Sequence, residues 1–72
     1  MKKYKAIYYH GDTEVKKVFD VVKVVPHKKY KYFEIVQVTY HHEFITIAYY
    51  SEIDRIVLKD ADGHTVEYRA DA

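Results

Sequence analysis

The sequence predicts an all-β fold, a small single-domain antiparallel barrel of five to six strands with one short helical turn near residues 51–54. Three observations carry that expectation. Nine tyrosines and three phenylalanines stand beside many valines and isoleucines, residue types that suit a pleated surface and lose rotamer freedom in a helix. Strong helix formers are scarce, with Leu58 the only leucine and Met1 the only methionine. Alternating or wholly apolar runs are punctuated by turn residues at intervals of about 8–12 residues, the pattern of a small sandwich or barrel.

The first run spans Lys3 to Tyr9, with Tyr4, Ala6 and Tyr8 on one face and Lys3 and Lys5 on the other. His10-Gly11-Asp12 follows as a tight turn, where Gly11 is free to take positive φ. The second run, Thr13 to Val25, is too long for one regular strand. Val18, Val22 and Val24 fall on one parity and Val15, Phe19, Val21 and Val25 on the other. A strand that switches its buried side contains a bulge or bend, expected near Lys16-Lys17 or Asp20. Pro26 cannot donate to a ladder, so Pro26-His27-Lys28-Lys29 reads as the next loop.

Tyr30 to Tyr40 is the third run, with Phe33 and Ile35 on one face and Val36 and Val38 on the other. His41-His42-Glu43 leads into the fourth, Phe44 to Tyr50, in which Ile45, Ile47 and Tyr49 make an apolar face expected to be buried. On that reading a charge at Ile47 unfolds the domain. Ile53 and Ile56 lie three apart, which suits a single helical turn capped by Ser51. Ile56 and Leu58 resume the alternation. Asp62-Gly63 then marks a hairpin, and Val66 and Tyr68 face inward on the last strand.

This order of elements is similar to the small barrels of the SH3-like and Sm-like kind. The resemblance rests on the spacing and on Ile45-Thr46-Ile47-Ala48-Tyr49-Tyr50-Ser51-Glu52-Ile53. It implies an architecture, and an architecture does not supply a function.

One domain accounts for residues 1–72, and no cysteine is present to staple it. Ala6-Ile7-Tyr8-Tyr9 is too short and polar for a signal-peptide core, no apolar run is long enough to span a bilayer, and the expected location is the cytoplasm. Net charge is only +1, but unevenly placed. Residues 1–32 carry nine lysines against three acids, and residues 33–72 carry three basic residues against eight acids.

The candidate chemistry is sparse. His41-His42-Glu43 gathers three ligand types, but neighbours on a strand point to opposite faces and zinc without cysteine needs several distant histidines. Asp60, Asp62 and Gly63 faintly resemble a calcium loop whose register fails, since Leu58 and Arg69 fall where ligands belong. Ser51 is the only serine, and both glycines sit in turns, so neither an activated nucleophile nor a phosphate cradle is expected. The sequence reads as a non-enzyme without metal, cofactor or small-molecule substrate.

Binding is the better reading. So much tyrosine exceeds what a core of this size can hide, and Tyr is favoured at interfaces because it joins a large ring to a hydroxyl. Tyr9, Tyr30, Tyr40 and Tyr50 are the expected surface rings, and a protein partner or a second copy of the chain is the expected ligand. The alternative is nucleic acid held by Lys28, Lys29, Tyr30, Lys31 and Tyr32, where charge interleaves with rings on which bases stack.

Overall fold

The computed structural model describes residues 1–71 as six antiparallel strands in one sheet: β1 (Tyr4–His10), β2 (Thr13–His27), β3 (Tyr32–Thr39), β4 (His42–Tyr49), β5 (Arg55–Lys59) and β6 (Thr65–Arg69). The sheet order is β4-β3-β2-β1-β5-β6. Strands β4 and β6 do not pair with each other, so the sheet is open and the expected closure into a barrel is not observed. No helix occurs among the described residues, hence none long and apolar enough to cross a membrane.

Strand β2 organises the fold by changing partners. Its first half pairs with β1, from His10 opposite Thr13 to Tyr4 opposite Val21, and its second half pairs with β3, from Val21 to His27. Register slips occur between Tyr4 and Ala6, between Tyr8 and Tyr9, and between Val21 and Lys23. The irregularity expected at Asp20 is there, with Asp20 at φ 59°. These extra residues explain the mixed parity of the valines, because they bring Val18, Val21 and Val24 onto one face despite their spacing of three. Gln37 donates from its side-chain nitrogen to the Phe19 carbonyl at 2.8 Å, giving the bulge's backbone a partner.

Pro26 lies inside β2, opposite Phe33, and not in a loop. The reason is topological: β1 ends opposite Val21, so beyond that point β2 has no second neighbour for a proline nitrogen to disappoint. The expected helical turn is also corrected. Residues 50–52 form a hydrogen-bonded turn in which the Glu52 and Ile53 amides both donate to the Tyr49 carbonyl, at 2.9 and 2.8 Å, and Ser51 is simply exposed.

The core covers one face of the curved sheet. Ala6, Tyr8, Val21, Val24, Phe33, Ile35, Ala48, Ile53, Ile56 and Leu58 form a single buried cluster, with Tyr4, Val18, Tyr50 and Tyr68 packed around it. Tyr8 and Thr46, on β1 and β4, meet across the concave side. Burial pushes the Tyr8 phenol up to about 12, against a smaller lowering influence of the nearby Thr46 side chain. The hairpin to β6 is held by Asp60, whose carboxylate accepts the Asp62 and His64 amides at 2.9 Å each and the Lys2 ammonium at 3.0 Å. Gly63, at φ 87°, supplies the left-handed residue that turn requires. Val66, expected to face inward, pairs with buried Leu58 but remains half exposed because β6 has no outer neighbour.

Candidate functional site

The register of β3 and β4 decides which side of β4 is buried. A two-residue turn, Tyr40-His41, joins the strands, and both residues have positive φ, 49° and 67°, the conformation of a type I′ hairpin. It closes on Thr39 opposite His42, and the pairing continues through Ile35 opposite Thr46 and Phe33 opposite Ala48. Phe33 and Ile35 belong to the core, so Phe44, Thr46 and Ala48 line the core side and Ile45, Ile47 and Tyr49 face outward. This overturns the expected buried face. Ile45 is 58% exposed, Ile47 51% and Tyr49 54%.

The same turn fixes the backbone. The closing pair of a two-residue hairpin exchanges hydrogen bonds, and alternate residues then point towards β3. His42, Phe44, Thr46 and Ala48 therefore face β3, and the Tyr50 amide continues this phase by donating to the Lys31 carbonyl at 2.9 Å. Glu43, Ile45, Ile47 and Tyr49 turn their N–H groups to the open edge. The carbonyls of Glu43, Ile45 and Ile47 point the same way, while that of Tyr49 already serves the turn at residues 50–52.

Strand β4 thus exposes three surfaces at once: an outward apolar row of Ile45, Ile47 and Tyr49, an unpaired ladder, and a half-exposed Phe44 on the core side. Along the core side runs a groove of about 270 Å³ whose walls include Tyr8, Val15 and Val18 on one flank and Ile35, Ala48 and Ile53 on the other. It exists because β3 leaves β2 at Val21, so the first half of β2 has no neighbour on that side.

The expected binding residues divide. Tyr30 and Tyr32 come together, ring centroids 6.5 Å apart, and Tyr32 is stacked on His27 at 4.7 Å and edge-on to Tyr49 at 6.2 Å. This aromatic row extends the apolar face of β4. His27 also bonds Glu34 at 3.0 Å. Lys28, Lys29 and Lys31 are exposed on the adjoining loop, with the Lys29 ammonium 5.5 Å from the Tyr30 ring centre. Tyr40 is 88% exposed at the β3–β4 turn. Tyr9 lies elsewhere, under the Arg55 guanidinium at 4.0 Å. Tyr50 is not a surface ring: it tilts against Phe33 at 4.7 Å, its hydroxyl is buried without a partner among the described residues, and burial pushes its phenol up. Phe44, Ile45 and Ile47 were not among the expected binding residues. The signal for them was a strand apolar on both parities, Phe44 against Ile45, Ile47 and Tyr49.

The charged clusters are already engaged. Asp60, Asp62 and His64 bring ligand atoms within 4.8 Å of one another, but Lys2 and two backbone amides occupy the Asp60 carboxylate and hold its carboxyl down to about 2. In an open cleft of about 460 Å³ lined by Gly11, Asp12, Asp54, Arg55, Arg69 and Asp71, Asp54 accepts the Gly11 amide at 2.9 Å, and both arginines reach out to Glu67, at 3.1 and 2.9 Å. His41 sits on the turn and His42 opens β4, both exposed, and they converge on no such cluster among the described residues. The chain matches no protein-family model, no curated protein and no solved structure.

Proposed function

We propose that this chain is a non-enzymatic protein-interaction module that docks its partner on strand β4. The observation that carries the reading is the coincidence, on one strand, of a free backbone ladder and an exposed row of Ile45, Ile47 and Tyr49. Water solvates an isolated edge or an isolated isoleucine at little cost. A contiguous apolar row rimmed by polar residues marks an interaction surface, and an open ladder supplies the hydrogen bonds by which a further strand adds to a sheet. The row Tyr30, Tyr32 and Tyr49 enlarges the surface with rings, and Lys28, Lys29 and Lys31 give it a basic rim that steers an acidic approach. A cytoplasmic setting fits a chain without cysteine. The long bent β2, shared by both halves of the sheet, supports an SH3-like reading of the architecture.

Nucleic-acid binding by the Lys28–Tyr32 segment has weaker support. Tyr32 is stacked on His27 and met by Tyr49, and Lys29 rests over Tyr30, so the rings that would stack on bases have neighbours already. Both arginines are engaged with Glu67.

Photo-crosslinking separates these readings. A photoreactive phenylalanine analogue replacing Tyr49 is expected to give discrete protein adducts, and the same group replacing Thr65 on β6 to give none. Equal labelling from both strands, or labelled nucleic acid in place of protein, refutes the assignment.

A further inference from the structure

Resting on that reading, the geometry points to a second copy of this chain as the occupant of β4, paired antiparallel to it about a twofold axis at Thr46. Strand β4 is close to self-complementary when read in both directions from that residue. With Thr46 opposite Thr46, Ile45 meets Ile47 of the second copy on the outward face. Glu43 meets Tyr49 of the second copy, a carboxylate beside a phenol that can donate to it. On the core side Phe44 falls opposite Ala48 of the second copy, a large side chain against the smallest on the strand. Ala48 lies at the groove of about 270 Å³, whose lining sets Val15, Val18, Ile35 and Ile53 beside Lys16, Gln37 and Glu52. The two threonine hydroxyls meet at the axis, a favourable cross-strand pair.

The backbone agrees. Ile45 and Ile47 both present N–H and C=O to the open edge, so each exchanges two hydrogen bonds with the other residue of the second copy. Moving the axis to Ile45 sets Glu43 opposite Ile47 and removes Phe44 from Ala48, which is why side chains select the Thr46 register. Charge agrees too. A net charge of +1 per chain gives two copies little to repel, and no lysine, arginine or like-charged pair is opposed along the strand.

Pairing stops at two. Joining β4 to β4 is isologous and uses that edge completely, leaving only β6 at each end of a twelve-stranded sheet. Strand β6 is short and carries Glu67 and Arg69 on its outward face, which blunts it against further addition.

The test is sedimentation equilibrium combined with single-cysteine crosslinking, in a chain that has no cysteine of its own. The protein is expected to move from the 8.6 kDa monomer to twice that mass as concentration rises through roughly the micromolar range. The double variant Ile45→Lys, Ile47→Lys opposes lysines across the axis and is expected to weaken association roughly a hundredfold, with a melt that matches the parent's below the parent's association range, because both side chains are exposed. Thr46→Cys is expected to oxidise readily to a disulfide dimer, since facing residues of a non-hydrogen-bonded pair lie about 4.5 Å apart, within disulfide reach. A strict monomer at high concentration, or a dimer indifferent to the lysines, overturns the inference. Faster disulfide formation by Ile45→Cys overturns the register. A monomer that still crosslinks another protein through Tyr49 overturns the second copy while leaving β4 as the docking strand.

Discussion

Strands β4 and β6 both end the sheet, yet they are built in opposite ways. Strand β6 has five residues, and its outward face carries Thr65, Glu67 and Arg69, with Glu67 bridging Arg55 and Arg69. Strand β4 has eight residues, no proline, and no charge between Glu43 and its end at Tyr49. Short strands and outward charges are how proteins keep an edge from recruiting another chain. The contrast teaches that the fold has the means to protect an edge and applies them to only one.

Each edge also has an anchor, and the anchors differ in kind. Beneath β4 lie Phe33, fully buried, and the Tyr50 ring packed on it. Beneath the turn into β6 lies the Asp60 carboxylate with its amides and Lys2. Breaking the first has the larger effect. Phe33→Ala is expected to destabilise the domain by about 3–5 kcal/mol, enough to leave much of so small a protein unfolded, as read by chemical denaturation.

Breaking the second gives a smaller loss with a pH signature. The folded protein holds the Asp60 carboxyl below its ordinary 3.8, at about 2, chiefly through the hydrogen bond from Lys2. Folding therefore favours the ionised form. That contribution is fully present above the unfolded value and drains away as pH falls from 3.8 towards about 2. Asp60→Asn is expected to lower Tm by roughly 5 °C at neutral pH and to flatten Tm against pH in the acid range. An equally steep acid limb in the variant would remove Asp60 from the account.

Smaller still is the effect of a charge on the exposed edge. Ile47→Asp is expected to cost less than about 1 kcal/mol, because the side chain is half exposed and the new carboxylate stands opposite Glu34. Hydrophobicity alone implied the reverse, since Ile45, Ile47 and Tyr49 make the more apolar face of β4 by composition. What decides the matter is pairing register, which the turn at Tyr40-His41 and the core position of Phe33 impose from a neighbouring strand. The valines of β2 were easier to read, because a parity switch within one strand is a local sign of a bulge, and Asp20 carries it. Pro26 lies in a strand and not in the expected loop because β1 stops opposite Val21, a long-range fact that the local sequence does not carry. Of the expected site, the Tyr30–Tyr32 pair and its lysines emerged as one surface, while Tyr50 sank into the core because the turn after β4 folds back over Phe33.

The smallest effect is expected at the protected edge. Glu67→Gln loosens Arg55 and Arg69 on the surface, and should move Tm by no more than about 2 °C without altering association. Assembly beyond the dimer that appears in this variant would show that these charges were all that kept β6 apart.

Amide hydrogen exchange followed residue by residue against protein concentration tests the contrast between the edges most directly. The amides of Ile45 and Ile47 should slow as concentration rises while those of Thr65, Glu67 and Arg69 keep one rate throughout. Rates at Ile45 and Ile47 that stay constant up to millimolar protein, or slowing that appears on β6 instead, would contradict the assignment of β4 as the edge that takes a second copy.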